Sequence, residues 1–208
     1  MSTAQTTSTT IKKSNVYTRT GDAGKSSLYN GERRIKTDWV FNALGDVDEL
    51  NSHIGLARAH LLNTLNEQES VQKTVAPYLE TLQAHLLDIG SHLATPTHSS
   101  SSKKIARTQF DPKYVEELEK HIDSLDHQLP KLTNFILPSG GIAASQLHVC
   151  RSVCRRAERA VVHLVQSDDD IAPEVQQFMN RLSDYFFVVA RFVAAQANEK
   201  ETIYKKPK

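Results

Sequence analysis

The fold of this chain is decided by the stretch Leu147-His-Val-Cys-Arg-Ser-Val-Cys-Arg-Arg-Ala-Glu-Arg-Ala-Val-Val162. Its apolar residues recur three and four positions apart, which is the spacing of one face of an α-helix. They are Leu147, Cys150, Cys154, Ala157 and Val161. The stretch therefore predicts a helix packed against a core, with the two cysteines as small core residues rather than a disulfide.

Four arginines lie within nine residues of this predicted helix: Arg151, Arg155, Arg156 and Arg159. Arg151, Arg155 and Arg159 are four residues apart and therefore share one face of the helix. Glu158 lies on the same face. Guanidinium groups stay protonated and present a planar fork to phosphates or carboxylates. Because unpaired charges beside a core are costly, these arginines need anions. The anions are either protein carboxylates or a polyphosphate ligand.

Apolar stripes of the same period predict four more helices. They cover residues 40–61, 71–93, 115–129 and 175–192, and the arginine helix begins near Ile142. Breakers separate them, including Thr95-Pro96, Pro130 and Pro138-Ser-Gly-Gly141. The chain is therefore predicted to be all-α, an up-and-down bundle of five helices. The serine run at 99–102 is expected to be a mobile loop.

Composition narrows the class of protein. The 208 residues include 25 basic and 24 acidic ones, which gives a net charge of +1. This balance argues against a nucleic-acid-binding protein, which usually has a strong excess of basic residues. No apolar run is long enough to span a membrane. Two helical cysteines favour a reducing compartment. Residues 1–15 do not have the pattern of a secretory signal. They are expected to be a disordered tail or a poor mitochondrial presequence. Residues 16–208 are expected to form one domain.

The segment Tyr17-Thr-Arg-Thr-Gly-Asp-Ala-Gly-Lys-Ser-Ser-Leu28 combines hydroxyls, glycines and two cations. Glycines let backbone N–H groups approach phosphate oxygens, and the polar side chains add donors and charge. It is not a Walker A loop, because Arg19 stands where that pattern needs a glycine. Either a phosphate-binding loop, extended by Lys36, or a plain polar loop explains it.

Polar residues interrupt two of the predicted helices. Asp48, with the residues at 51, 52 and 55, forms either a solvated face or a partner for an arginine across an interface. On the last helix, Asn180, Asp184 and Arg191 lie among aromatic residues, and an arginine of the arginine helix is the expected partner of Asp184.

Two further sites have a simple structural interpretation. Phe135, at the end of an apolar run, is expected by default to be a core anchor. His85, Asp88 and His92 share a helix face and have the chemistry of metal ligands, but no further ligands are recognisable and a solvated face is expected. The sequence contains no Glu-x-x-His pair, which disfavours a carboxylate di-iron bundle.

Together these segments resemble the ATP:corrinoid adenosyltransferases of the propanediol-utilisation type, a family that includes the human mitochondrial enzyme. The matching stretches run in order from residue 18 to 187. They are Thr18-Arg-Thr-Gly-Asp-Ala-Gly, Gly31-Glu-Arg-Arg-Ile-Lys36, Asp48-Glu-Leu, Phe135-Ile-Leu-Pro-Ser-Gly-Gly, Arg151-Ser-Val-Cys-Arg-Arg-Ala-Glu-Arg and Asn180-Arg-Leu-Ser-Asp-Tyr, and the closing Ile203-Tyr-Lys-Lys206 also fits.

The resemblance implies transfer of the 5′-deoxyadenosyl group of ATP to the cobalt of reduced cobalamin, by a homotrimer with active sites between subunits. Asp48 and Arg151 would form an ion pair across the subunit boundary, and Phe135 would face the corrin ring. Arg155 would be catalytic, together with Asp48, Arg151 and Phe135, and Asp184 would join Asp48 and Arg151 as a structural residue at the interface. The implied ATP-binding residues are Thr18, Arg19, Thr20, Gly21, Ser26, Lys36, Arg155, Arg156, Glu158, Arg159 and Asn180. Ala23 stands where a lysine is common, and Lys25 is a candidate to compensate for it.

The same resemblance implies Mg²⁺ held mainly by the ATP phosphates, with no protein metal site. A cobalamin reductase and a cobalamin-dependent acceptor enzyme would be its protein partners. The expected compartment is the cytoplasm, or the mitochondrial matrix in a eukaryote. Two rival functions stay open from the residues alone: a cofactor-delivering bundle without turnover, and a purely structural trimer whose arginines are neutralised by Asp48, Glu158 and Asp184.

Overall fold

The fold was obtained as a computed structural model that describes residues 14, 16–65, 68–167 and 171–206. The predicted tail at 1–15 lies outside the described residues except for Ser14 and so stays a prediction. In the described residues the chain forms six α-helices and four short strands. Among these helices, none has both the length and the apolar character that crossing a membrane requires.

The helices, in chain order, are α1 (Trp39–Thr64), α2 (Ala76–Leu93), α3 (Ser102–Arg107), α4 (Lys113–Asp126), α5 (Gly141–Gln166) and α6 (Pro173–Gln196). A π-helical turn, Val71–Val75, runs directly into α2. The strands are β1 (Lys25–Ser27), β2 (Arg33–Ile35), β3 (Ile136–Leu137) and β4 (Thr202–Ile203). They form two antiparallel pairs, β1 with β2 and β3 with β4.

The predicted apolar stripes form one core. α5 packs between α1 and α6, while α2 covers α1 and α4 covers α6. Cys150 and Cys154 are fully buried and unbridged, which confirms them as core residues. Burial raises the pKa of the Cys150 thiol to about 12, so it stays protonated at neutral pH. The largest fully buried side chains are Leu50, Ile54 and Leu61 of α1, Leu79, Leu82, Leu86 and Ile89 of α2, Leu118 of α4, and Phe178, Tyr185, Phe186 and Phe192 of α6.

The count of five helices is wrong by one, and the strands were missed. Ser102, the last residue of the serine run, begins α3. Ser99 does not lie in a free loop, because its hydroxyl donates to Glu32 at 2.6 Å and accepts from the side chain of Asn30 at 2.9 Å. α3 has six residues and no buried ones, so it lacks the apolar period by which helices are predicted.

Contacts between the helices define two ends of the bundle. Trp39 at the start of α1 stacks on His163 near the end of α5, with ring centroids 3.9 Å apart. The amide of Tyr29 donates to Ala94, just after α2, at 3.0 Å, which attaches the β1–β2 hairpin to the same end. We call this the hairpin end.

The opposite end carries the β3–β4 pair and Phe135, and we call it the Phe135 end. There the chain enters α5 through Gly140, whose φ of 97° favours glycine. A Cβ at Gly140 would lie 2.5 Å from the Cβ of Ala194, near the end of α6, so a side chain would push α5 and α6 apart. From Gly141 to His163, α5 spans about 30 Å at 1.5 Å per residue.

Candidate functional site

The N-terminal segment is shaped by the β1–β2 hairpin. Lys25 pairs with Ile35, and the amide of Lys36 donates to the carbonyl of Gly24 at 2.8 Å. Gly24 has φ +72°, which lets the chain turn from the loop into β1. The hairpin thus folds Lys36 back onto the glycine-containing loop that precedes β1.

Most of the predicted phosphate-binding residues meet in this loop. A Cβ built on Gly21 would lie 3.2 Å from the Nζ of Lys36, so the ammonium group rests against the backbone at Gly21. The hydroxyls of Thr18 and Thr20 are 2.9 Å apart. Arg19 has φ 61°, a left-handed backbone that is uncommon outside glycine, and its guanidinium lies 5.5 Å from the centroid of the Tyr17 ring. Ser26 lies on β1, half-buried, as part of the same hairpin.

Arg33 is a member of this loop that the residue pattern did not single out. Its guanidinium donates to the carbonyl of Thr20 at 2.7 Å. Arg33 was visible only as part of a matching stretch, because its contact with Thr20 depends on how the hairpin closes.

Glu32 anchors the hairpin. Hydrogen bonds from Arg34 and from Ser99, together with the charge of Arg34, lower the pKa of the Glu32 carboxyl to about 2. The arginine contact is 2.7 Å between Arg34 Nε and Glu32 Oε1. The carboxylate is therefore ionised at neutral pH and joins the hairpin to the segment before α3.

The four arginines of α5 separate into two groups. Arg156 contacts carboxylates of α1 in its own chain, with Nε 3.0 Å from Asp46 Oδ1 and Nη2 hydrogen-bonded to Glu49. These contacts raise the pKa of Arg156 further. Within this chain Arg156, for which the resemblance implied a contact with ATP, is therefore already paired with two carboxylates.

The other three arginines have no carboxylate within 4.0 Å among the described residues. Arg155 and Arg159 are exposed, and Arg159 donates to the carbonyl of Arg155 at 2.9 Å. Arg151 is half-buried, and its Nε is buried without a hydrogen-bond partner in the described part of the chain. Their charge is therefore available to an anion from outside this chain.

Glu158 and Asn180, which the resemblance assigned to the same side of the ATP site, are in contact. The side-chain amide of Asn180 donates to Glu158 Oε1 at 2.8 Å and accepts from Arg181 at 2.7 Å. Arg181 in turn donates to Glu119 of α4 at 2.8 Å. A cleft of about 280 Å³ opens at this network, and its wall is rich in amide side chains; it is lined by Glu158, Pro173, Gln176, Gln177, Asn180 and Arg181.

Asp48 and Arg151 do not meet within one chain. Asp48 is exposed in a cleft of about 330 Å³ between α1 and α2. Next to it, Asn51 exchanges hydrogen bonds with Gln83 of α2 at 2.9 to 3.2 Å, so a solvated face is the wrong interpretation for that residue. Asp184 is exposed and has no ion pair among the described residues, so the described part of this chain does not supply the arginine partner that was expected.

Phe135 is not a core anchor, because 83% of its surface is exposed. Its carbonyl accepts the amide of Tyr204 at 2.8 Å, which extends the β3–β4 pair. The apolar run before Pro138 belongs to this exposed β3–β4 strand pair and not to a helix. Phe135 lines a cleft of about 380 Å³ with Leu132, Thr133, Asn134 and Tyr204. In the sequence, Tyr204 stands out only as part of the closing motif, because no local pattern pairs it with Phe135.

The histidines of α2 do not form a solvated face. His85 is buried against the ring of Tyr114, with centroids 3.9 Å apart. His92 Nδ1 lies 2.9 Å from the carbonyl of Thr108, and its Nε2 accepts the amide of Ala172 at 3.1 Å. Only Asp88 of the three is exposed. Within the described ranges, no group of three or more His, Cys, Asp or Glu side chains is arranged to hold a metal ion.

The sequence profile of a family described as cobalamin adenosyltransferase matches residues 16–193. The chain is 48% identical over 202 residues to corrinoid adenosyltransferase MMAB of Mus musculus, covering 97% of this chain and 82% of that protein. It is 39% identical over 191 residues to a corrinoid adenosyltransferase of Bacillus subtilis, covering 92% of each.

Solved structures of a PduO-type ATP:corrinoid adenosyltransferase from Lactobacillus reuteri have a similar fold. A phenylalanine-to-alanine variant complexed with cobalamin and ATP gives a TM-score of 0.78 at 34% identity, covering 92% of this chain and 99% of that chain. An arginine-to-lysine variant complexed with ATP gives a TM-score of 0.78 at 34% identity, and the match covers 91% of this chain and 100% of that chain.

Proposed function

The chain belongs to the cobalamin adenosyltransferase family, and from that membership we propose how its two ends share the reaction. It is a transferase that moves the 5′-deoxyadenosyl group of ATP to the cobalt of reduced cobalamin, forming adenosylcobalamin and releasing triphosphate. The proposal concerns which residues bind each substrate, and how many chains one active site needs.

The nucleotide lies between the loop at the hairpin end and the arginine face of α5. The observation that carries this assignment is the contrast between two adjacent arginines. Arg156 has two carboxylate partners, whereas Arg155 is exposed and has none among the described residues. Of the two anions considered from the sequence, carboxylate or polyphosphate, Arg155 is therefore left for the polyphosphate. The ATP-binding set is Thr18, Arg19, Thr20, Gly21, Ser26, Lys36, Arg155, Glu158, Arg159 and Asn180.

Cobalamin lies at the Phe135 end, with the exposed Phe135 ring facing the corrin. The two Lactobacillus reuteri variants support both assignments together. Their substituted phenylalanine and arginine are twenty residues apart, and one was solved with cobalamin and ATP and the other with ATP. Phe135 and Arg155 are separated by the same twenty residues.

One active site is built from more than one chain, in a homotrimer. Within a single chain, the loop that receives triphosphate and the ring that faces the corrin lie at opposite ends of α5, about 30 Å apart by helix rise. The reacting C5′ and cobalt must come within bonding distance, so the loop of one chain has to approach the Phe135 end of another. The exposed Asp48 and the unpartnered Nε of Arg151 would then complete each other across the boundary.

The chemistry needs no nucleophilic side chain. The cobalt(I) electron pair forms the bond to C5′ while the C5′–O bond breaks, and the electron pair of that bond leaves with triphosphate. Lys36 and the backbone at Gly21 lie against each other before the negative charge develops, and the charge of Arg155 adds to the stabilisation of the leaving group. An apolar wall at Phe135 would exclude an axial ligand from cobalt and so favour its reduced state.

Mg²⁺ would accompany ATP. The ion would be held mainly by phosphate oxygens and water, as Mg²⁺ usually is in nucleotide sites. It would neutralise charge on the phosphates, while the protein's own arginines and Lys36 hold them in place.

The remaining assignments rest on the family and on the chemistry. Residues 16–208 form one corrinoid adenosyltransferase domain. A cobalamin reductase supplies the electrons for cobalt(I), and a cobalamin-dependent enzyme accepts the product. The compartment is the cytoplasm, or the mitochondrial matrix in a eukaryotic source, and subcellular fractionation with immunoblotting tests it.

Anaerobic incubation with ATP, Mg²⁺ and chemically reduced cobalamin tests the function directly. We expect adenosylcobalamin, identified by its absorption spectrum and by its loss on illumination, together with one triphosphate per product. Tight binding of both substrates without product would instead indicate a delivery protein. A mass of one chain by light scattering, in a fully active sample, would refute the shared active site.

A further inference from the structure

We propose that Arg191 is a positioning residue for the cobalamin end of the site: it holds in place the segment that presents Phe135. The inference rests on the proposed role of Phe135, but its structural part stands without it. Arg191 lies near the end of α6, only 5% of it is exposed, and none of the reaction steps above uses it.

The partners of Arg191 flank the Phe135 segment. Its Nη2 donates to the carbonyl of Pro130 at 3.0 Å, five residues before Phe135. Its Nε donates to Glu201 at 3.1 Å, one residue before β4. One buried guanidinium therefore connects α6 to both chain segments that meet at Phe135.

Backbone contacts carry this connection to Phe135. β4 pairs with β3, and the amide of Tyr204 donates to the carbonyl of Phe135 at 2.8 Å. Ser139 adds a further link, because its hydroxyl accepts the amide of Thr202 at 2.8 Å. Glu201, Thr202 and Tyr204 are close neighbours in sequence, so fixing Glu201 fixes the strand that holds Phe135.

Two clefts lie against the same short segment. The cleft lined by Phe135 and Tyr204 and the cleft lined by Arg191 and Glu201 share residues 132–134. Residues 132–134 therefore line both the proposed corrin cleft and the cleft beside Arg191. A displacement of this segment in the cleft beside Arg191 would change the shape of the corrin cleft.

A buried ion pair is a poor means of stabilising a fold. An apolar side chain at the same position is often as stable or more so, because burying two charges costs nearly as much as their attraction contributes. Unlike an apolar residue, Arg191 makes directional hydrogen bonds. Its planar guanidinium donates to a carboxylate through one nitrogen and to a carbonyl through another. That is the property needed to hold two separate segments in one arrangement.

Arg191→Met in the full chain tests the proposal, with Arg58→Met as its matched control. Arg58 also donates to a carbonyl, that of Ala76, and to a carboxylate, that of Glu80, but it joins α1 to α2, and neither partner belongs to the two segments that meet at Phe135. We expect Arg191→Met to raise KM for cobalamin about tenfold, because the binding-competent arrangement becomes a minor state, and to leave the Kd for ATP unchanged within about twofold. Arg58→Met should change neither constant.

Three further readouts separate positioning from general stability. Arg191→Lys keeps the charge but not the fork and should give an intermediate KM for cobalamin. Hydrogen exchange at the amides of Thr202 and Tyr204 should become faster in Arg191→Met, with exchange in α1 unchanged. The absorption change of cobalt(II) on losing its axial ligand should weaken in the same variant.

If Arg191→Met does not fold, Glu201→Gln removes the charge at nearly constant volume and carries the same expectations. Either folded variant with KM for cobalamin within about twofold of the unmodified protein would overturn the proposal. So would an equal rise in both substrate constants. Failure of the proposed function is a separate result: the unmodified protein would then form no adenosylcobalamin, while hydrogen exchange would still report whether Arg191 holds the segment.

Discussion

Replacing Arg155 by alanine should slow adenosyl transfer about a hundredfold or more, because removing one preorganised donor to a developing anion costs about 3 kcal/mol of barrier. The same change should alter the free energy of unfolding by less than about 0.5 kcal/mol, since an exposed side chain without a partner contributes little to stability. Arg155 is exposed, and no carboxylate of the described residues lies within 4.0 Å of it.

Arg156→Ala is the matched control, since it removes the same group from the next residue. Arg156 is paired with Asp46 and Glu49, but 43% of its side chain is exposed, so solvent weakens the pairs. We expect a loss of about 1 kcal/mol in unfolding free energy, which lowers Tm by about 2–4 °C in a domain of this size. Its kcat should stay within about threefold of the unmodified value.

The assay measures both quantities on the same preparations. Initial rates of adenosylcobalamin formation under anaerobic conditions give kcat, and thermal unfolding followed by circular dichroism gives Tm. The reasoning would be refuted if Arg155→Ala kept its rate, or if it lowered Tm more than Arg156→Ala did. The second outcome would mean that Arg155 is paired in the assembled protein and that triphosphate binds elsewhere.

Three other predictions concern the remaining parts of the molecule. Phe135→Ala should lower the rate when cobalt(II) reduction is coupled, with ATP affinity changed by less than about twofold; equal losses in reduction-coupled rate and ATP affinity would contradict the corrin assignment. Asp48→Asn should lower both activity and trimer content by leaving Arg151 uncompensated, and gel filtration with activity assays would show an unaffected trimer if the pair does not form. Burial, assisted by the charge of Arg151, lowers the pKa of His148 to about 4, below the value near 6.5 in an unfolded chain. Between these values the unfolded state binds the extra proton, so this contribution to stability is complete above about pH 6.5 and is lost as the pH falls towards 4. His148→Gln should therefore flatten the fall in Tm across that range, and an equally steep fall would argue against this assignment.

The helical elements were largely predictable, because their signal is local. Periods of three and four residues place the core faces of α1, α2, α5 and α6, and the structure buries those faces. The exceptions are elements without such a period. α3 buries no residue, and β3 and β4 are two residues each, paired across more than sixty residues of chain. The interpretation of Phe135 as a core anchor is wrong for the same reason: the strand pair beside it is closed by residues more than sixty positions away, which no local pattern reports.

For the candidate site, residue types and order were sufficient to identify the family and to propose candidate residues. They were not sufficient to assign a partner to each charge. Arg155 and Arg156 look alike in sequence, yet only Arg156 is turned towards Asp46, 110 residues earlier in the chain. In the same way Arg191 stood out only as a polar residue on an aromatic helix, while its partners lie in two loops.

The sequence alone determined where the helices form, which of their faces are buried, and that several cations are gathered on one of them. Each of these follows from side chains a few positions apart on a regular backbone. Only the tertiary structure decided which cations are neutralised by the described residues, and that the loop proposed to bind the nucleotide and Phe135 lie at opposite ends of the bundle. Those outcomes depend on contacts between distant segments, whose geometry is set by how whole helices pack.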